Sequence, residues 1–93
     1  MSKIKPNDSP ARLLSGEDTP ALRQMLALNL KGEGHAVVEV SNGTDALEAL
    51  RTQRFSAAVL DVMMPGMDGF AVCRTARLEG IDTPILFLTA RNE

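Results

Sequence analysis

The chain has 93 residues, 44% of them apolar, and a formal net charge of −2. This length and composition predict one small folded domain and exclude an intrinsically disordered chain. Lys and Arg are scattered along the sequence, so we expect no direct binding of nucleic acid by this segment. No apolar run approaches the roughly 18 residues of a membrane span, so we expect no membrane partner.

The opening of the chain differs in composition from the rest. Residues 1–10 are polar and lack the apolar core of a secretory signal, which predicts a flexible N-terminal tail ahead of a domain over residues 11–93. The single cysteine, Cys73, cannot form an internal disulfide, and we interpret it as a buried core thiol. A reducing, cytoplasmic location is therefore predicted.

The domain begins with a weak strand signal. Leu13-Leu14 predicts a first strand, although Ser15-Gly16 is a poor strand pair in which a buried Ser needs a hydrogen bond. Thr19 followed by Pro20 predicts the start of a helix, and Gly32 and Gly34 predict its end. The inward face of this helix is predicted to consist of apolar residues at helical spacing: Leu22, Met25, Leu26 and Leu30.

The same alternation then repeats twice. Residues 36–40 predict a second strand, and Glu39 indicates an exposed edge. A second helix capped by Asn42 or Thr44 follows, and its predicted apolar face consists of Ala46, Leu47 and Leu50. Residues 57–62 and 85–89 predict two further strands, separated by a helix from Asp68 to about Glu79 whose predicted inward residues are Phe70, Cys73 and Ala76. Alternating strands and helices predict a mostly parallel sheet covered on both faces.

The most informative segment is Asp61-Val62-Met63-Met64-Pro65-Gly66-Met67-Asp68-Gly69. An apolar run, residues 57–60, leads into a carboxylate and then into a Pro- and Gly-rich turn, which is typical of an acid facing a cleft at the end of a strand. Asp68 is best interpreted as a helix N-cap. The acidic pair Glu17-Asp18 ends the first strand, and Thr89 ends the apolar run of the fourth strand.

In combination, these segments resemble the receiver domains of two-component response regulators, and the resemblance extends from about Arg12 to Asn92. The Leu-Thr-Ala-Arg sequence at residues 88–91 is similar to the OmpR/PhoB-style branch. The resemblance implies a flavodoxin-like, doubly wound parallel sheet with strand order 2-1-3-4-5. In that order, Glu17, Asp18 and Asp61 converge at the crevice where open α/β sheets bind ligands.

The resemblance also implies a magnesium site and a phosphoacceptor. Mg²⁺ would be bound by Asp18, Asp61 and the backbone carbonyl of Met63, with Glu17 acting through a water molecule; a hard cation would relieve the repulsion between the acids. Asp61 would accept a phosphoryl group from a sensor histidine kinase. The Thr89 hydroxyl and the Ala90 N–H would contact that group. Such a domain is not an enzyme beyond autophosphorylation or autodephosphorylation at Asp61.

The sequence ends four residues after Thr89. The resemblance therefore implies a receiver truncated after the fourth strand, with order 2-1-3-4 and without the family's C-terminal helix-strand-helix part and its lysine. Residues 85–89 would form an apolar edge strand, so we expect self-association or pairing with a complementary fragment at that edge.

Two other functions are compatible with parts of this pattern. A truncated receiver could serve as a protein–protein interaction or dimerisation module without a working phosphorylation switch. A haloacid-dehalogenase-type phosphatase also forms an aspartyl phosphate, but it needs a second acid two residues after the nucleophile. Met63 occupies that position, which argues against the phosphatase.

Overall fold

The computed structural model describes residues 11–88 and contains four strands and three helices. In chain order these are β1 Arg12–Gly16, α1 Pro20–Gly32, β2 Ala36–Val40, α2 Gly43–Thr52, β3 Ala57–Asp61, α3 Gly69–Leu78 and β4 Ile85–Leu88. The predicted tail over residues 1–10, and Thr89 and Ala90, lie outside the described residues.

All four strands are parallel, and their order is β2-β1-β3-β4. This order confirms the flavodoxin-like arrangement predicted from the sequence, with β1 and β3 as central neighbours. The chain passes from β1 to the edge strand β2 and then returns past β1 to β3 and β4. Because the crossovers are right-handed, this change of direction places α1 on one face of the sheet and α2 and α3 on the other. Glu39 lies on β2, which is an edge strand of this sheet as predicted.

The main core lies between the sheet and the helices α2 and α3. Leu14 and Leu60 are fully buried there, together with Val72 of α3. Met64, in the loop after β3, belongs to the same cluster. The predicted α2 face is confirmed, because Ala46, Leu47 and Leu50 are all buried.

The opposite face of the sheet is covered only in part. Ser15, Val59 and Leu86 are register neighbours across β1, β3 and β4, and strand alternation places all three on the α1 side. Helix α1 contacts β1 and β2. Ser15 beneath it is fully buried, whereas Leu86 on the edge strand β4 is 62% exposed.

Several predictions about individual side chains were wrong. Met25 and Phe70 are 51% and 52% exposed instead of inward, whereas Ala27 and Val72 are buried without having been predicted. The inward position of Ala76 is confirmed. Cys73 is half-buried. These helices rest directly on the sheet, so small side chains fit the line of closest approach and larger ones lie at its margin.

Two predicted hydrogen bonds are also absent among residues 11–88. Thr19 occupies the N-cap position of α1, but its side chain makes no capping bond. The Ser15 hydroxyl is buried without a partner. By contrast, Asn42 and Asp68 cap α2 and α3 through bonds from the N–H groups of Asp45 and Ala71.

None of the helices in residues 11–88 combines the length and the apolar character needed to cross a bilayer.

Candidate metal and phosphoacceptor site

Three carboxylates meet at the carboxyl edge of the two central strands. One oxygen each of Glu17, Asp18 and Asp61 lies within 4.8 Å of the others. Glu17 and Asp18 follow β1, and Asp61 is the last residue of β3, so the parallel pairing of these strands brings the two segments together. Glu17 and Asp61 are buried and Asp18 is exposed, so the cluster has a buried side and a side open to solvent.

The buried acid Glu17 is held by backbone contacts. One of its carboxylate oxygens, Oε2, accepts a hydrogen bond from the N–H of Thr19 at 3.0 Å. Its own carbonyl accepts a bond from Nη1 of Arg23 at 2.9 Å, and its N–H donates to Val40 at 3.1 Å. The other carboxylate oxygen, Oε1, is buried and has no partner among residues 11–88. Half of this carboxylate is therefore available to a ligand in the cluster.

The phosphoacceptor candidate Asp61 is fixed by the loop that follows it. Its Oδ1 accepts a hydrogen bond from the N–H of Met63 at 3.1 Å. Behind it, a Cβ on Gly69 would lie only 2.5 Å from the Asp61 carbonyl oxygen, so α3 can start this close to β3 only with glycine. The sequence interpretation of Asp68 as the helix N-cap did not predict this requirement at Gly69.

The exposed acid of the cluster, Asp18, lines an open cleft. A cavity of about 480 Å³ is lined by Asp18, Met63, Met64, Pro65 and Asp68. Met63 is 71% exposed at this cleft, and its backbone N–H contacts the Asp61 carboxylate. The predicted ligands Glu17, Asp18 and Asp61 thus come together beside Met63, whereas Thr89 and Ala90 lie outside the described residues.

Burial raises the pKa of Glu17, and the negative charge of Asp61 raises it further, against the lowering effect of the hydrogen bond from Thr19. The folded state therefore binds the proton of Glu17 more tightly than the unfolded chain does. The stability that protonation of Glu17 provides is complete below the ordinary value of 4.5, and it is lost as pH rises through the folded-state pKa.

We accordingly expect the metal-free chain to gain stability relative to Glu17→Gln as pH falls from neutral toward the ordinary value of 4.5. Thermal unfolding followed by circular dichroism in the presence of EDTA measures this difference. Glu79→Gln is the matched control, because the hydrogen bond from Arg51 lowers the pKa of Glu79 and moves its effect below 4.5. Parallel pH profiles for the wild type and Glu17→Gln would contradict the prediction.

Comparison with known proteins identifies the family. The response regulator receiver domain matches residues 13–93. The transcriptional regulatory protein AfsQ1 of Streptomyces coelicolor is 49% identical over 81 residues, covering 87% of this chain and 36% of AfsQ1. The curated relatives are transcriptional regulatory proteins and response regulators, in agreement with the OmpR/PhoB-style branch. This chain spans about a third of their length.

Solved structures show the same fold. The response regulator TrrA of Thermotoga maritima, determined in complex with Mg²⁺-BeF, has a TM-score of 0.81 at 32% identity, covering 87% of this chain and 70% of that chain. The receiver domain of the sensor histidine kinase PA1611 of Pseudomonas aeruginosa was determined with a magnesium ion in its active-site cleft. It has a TM-score of 0.83 at 30% identity, covering 88% of this chain and 69% of that chain. This chain belongs to the response regulator receiver domain family of two-component signalling.

Proposed function

We propose that this chain is a phosphoacceptor domain in which Asp61 accepts a phosphoryl group from a sensor histidine kinase. The observation that carries the proposal is the convergence of Glu17, Asp18 and Asp61 at the carboxyl edge of β1 and β3. Asp61 is the best placed acceptor of the three, because it ends a central strand and is held by the N–H of Met63, a residue that lines the open cleft.

The donor set fits Mg²⁺. Carboxylate and carbonyl oxygens are the ligands that this ion prefers, and the buried, unpartnered Oε1 of Glu17 is an acceptor that a metal-bound water would satisfy. Asp18, Asp61 and the Met63 carbonyl would hold the ion directly. When bound, the ion supplies positive charge that neutralises the phosphoryl oxygens during transfer.

In the transfer itself, residues of this chain accept the phosphoryl group and contact its oxygens. A carboxylate oxygen of Asp61 forms a bond to phosphorus as the P–N bond of the kinase phosphohistidine breaks, and the imidazole leaves with the electron pair of that bond and takes up a proton. Thr89 and Ala90 complete the proposal as donors to the phosphoryl oxygens, through a hydroxyl and a backbone N–H. In this role the domain is a substrate and switch, with no catalysis beyond autophosphorylation and autodephosphorylation.

The test is incorporation of phosphate from acetyl phosphate, a small donor that needs no kinase. We expect incorporation in Mg²⁺, none in EDTA, and release of the label by hydroxylamine, which cleaves acyl phosphates. Intact-mass spectrometry measures all three. A wild-type chain that folds and binds Mg²⁺ but takes up no phosphate would contradict the proposal.

Magnesium is also expected to stabilise the fold, because it would bind the folded state alone. At about 100 times its Kd, such a ligand adds about 2.7 kcal/mol to the free energy of unfolding. Thermal unfolding by circular dichroism with Mg²⁺ and with EDTA measures this difference. A melting temperature that ignores Mg²⁺ would contradict the proposed ligand set.

The wider context follows from the same proposal. The relatives of this chain include transcriptional regulatory proteins, so the phosphorylated domain would act on an output region of that type in the cytoplasm. The net charge of −2 supports an indirect role, without contact between this segment and DNA.

The sheet edge supports a second proposed activity, association through β4. Leu86 is 62% exposed on this edge strand, and unpaired edge backbone groups can recruit another strand. A second copy or a complementary fragment would pair there. Sedimentation velocity across micromolar concentrations tests this, and a monomer throughout would contradict self-association.

A further inference from the structure

The loop between β3 and α3, residues 62–68, rests on the N-terminus of α2. The Gly43 N–H donates a hydrogen bond to the Pro65 carbonyl at 3.0 Å. A Cβ on Gly43 would lie 1.8 Å from the Met67 carbonyl oxygen and 2.6 Å from its carbon. The backbones therefore touch at a distance that only glycine permits.

The rest of this loop is held in place at two points. Its first half is anchored by Met64, which is buried in the core, and its end is anchored at Gly69, where a Cβ would lie 2.5 Å from the Asp61 carbonyl. Helix α2 cannot retreat instead, because its buried side chains, Ala46, Leu47, Ala49 and Leu50, belong to the same core. Met63, whose N–H donates to the Asp61 carboxylate, directly precedes the Met64 anchor.

We propose that Gly43 is a positioning residue for the metal and phosphoacceptor site, acting through the contact between its backbone and residues 65–67. A side chain at position 43 must push the Met67 carbonyl away by more than an ångström. Met67 lies two residues before Gly69, whose N–H donates to the Val62 carbonyl at 2.9 Å, so that displacement is transmitted to residues 61–63 and to the orientation of the Asp61 carboxylate. The inference rests on the proposed function and adds to it a residue from α2, which contributes no group to the acid cluster.

The test compares Mg²⁺ affinity of the 93-residue chain with that of Gly43→Ala, measured by isothermal titration calorimetry. We expect a loss of about 10- to 100-fold, the range typical of changes that disturb the supports of metal ligands. Gly32→Ala is the matched control, because a Cβ there meets nothing within 4 Å. Both changes raise helix propensity, so only the contact with the loop distinguishes them.

A second control separates positioning from general loss of stability. Phe55→Leu alters a buried side chain just before β3, at the opposite end of the sheet from the acids. We expect it to lower the melting temperature while Mg²⁺ affinity stays within about twofold of the wild type, since affinities at distant sites are independent. If Phe55→Leu weakens Mg²⁺ binding as much as Gly43→Ala at equal stability, the inference is overturned.

The remaining outcomes are also decisive. If Gly43→Ala binds Mg²⁺ with wild-type affinity, this inference alone is overturned. If the wild type binds Mg²⁺ but takes up no phosphate, the proposed function alone is overturned. A folded wild type that binds no Mg²⁺ overturns both. If Gly43→Ala does not fold, Gly66→Ala decides, because its Cβ would meet the Thr44 hydroxyl at 3.0 Å from the other side of the contact. Gly66 and Gly80 both have a φ of +83°, but a Cβ on Gly80 meets nothing within 4 Å, so Gly80→Ala controls for backbone strain. A loss of about 10-fold or more is expected for Gly66→Ala alone, and equal affinities in the two variants overturn the inference.

Discussion

Asp61→Asn is expected to reduce Mg²⁺-dependent phosphate incorporation from acetyl phosphate to background. The amide is not a nucleophile at neutral pH, and Glu17 and Asp18 do not end a central strand as Asp61 does. In the absence of metal, the same variant should have a higher melting temperature, because the substitution removes a buried negative charge that raises the pKa of Glu17. Intact-mass spectrometry and circular dichroism measure the two effects on one sample.

Asp68→Asn provides the matched control for this substitution. Asp68 lines the same cleft, but its carboxylate caps α3 through a 2.8 Å bond from the Ala71 N–H, and Asn caps helices equally well. Incorporation should therefore stay at the wild-type level in Asp68→Asn. Phosphate retained in Asp61→Asn would assign the acceptor to another residue. Equal loss in both variants would show that the effect is not specific to Asp61.

The sheet and its acids could be predicted because their signals are local. Each strand is a short apolar run bounded by turn residues, and alternation with helices leaves few topologies open. Glu17, Asp18 and Asp61 each follow or end such a run, so a parallel sheet must bring them to one edge. Their spatial convergence thus depends on strand order alone, which is why the structure places them together.

The helix faces could not be predicted in the same way. In α1 and α3 the apolar residues cover a broad arc, and periodicity does not tell which part of that arc meets the sheet. The structure buries Ala27 and Val72 and leaves Met25 and Phe70 half exposed. Phe70 instead packs edge to face against Phe87 of β4, with ring centroids 4.8 Å apart, a contact that only the fold creates.

The glycines that hold the site in place could not be predicted, for a related reason. The contact that requires Gly43 is made with the Met67 carbonyl, a backbone atom distant in sequence, so no local pattern records it. Gly16 is similar: it weakens β1 by propensity, yet a Cβ there would lie 2.9 Å from Leu60 and 3.3 Å from Met64. The glycine of the poor strand pair Ser15-Gly16 is therefore required by the packing of the core beneath the acids.

Leu60→Ala is expected to lower the free energy of unfolding by about 2–5 kcal/mol, a large part of the roughly 5–15 kcal/mol typical of a small domain. Leu60 is fully buried on the central strand β3, next to Asp61, so its truncation leaves a cavity. Urea denaturation followed by circular dichroism measures the change. Leu86→Ala is the control on the neighbouring strand, where 62% exposure limits the expected effect to about 0.5 kcal/mol. Equal losses at both positions would contradict the described core.

The cavity in Leu60→Ala should also change what position 16 tolerates. In the wild type, Gly16→Ala brings a Cβ to 2.9 Å from Leu60 Cδ2 and is expected to destabilise the fold. Once Leu60 is truncated, the same Cβ fills part of the vacated space, so Gly16→Ala should become neutral or stabilising. A double-mutant cycle should therefore give a favourable coupling of about 0.5–3 kcal/mol. Additive effects would mean that β1 and β3 do not share this contact beneath the acid cluster.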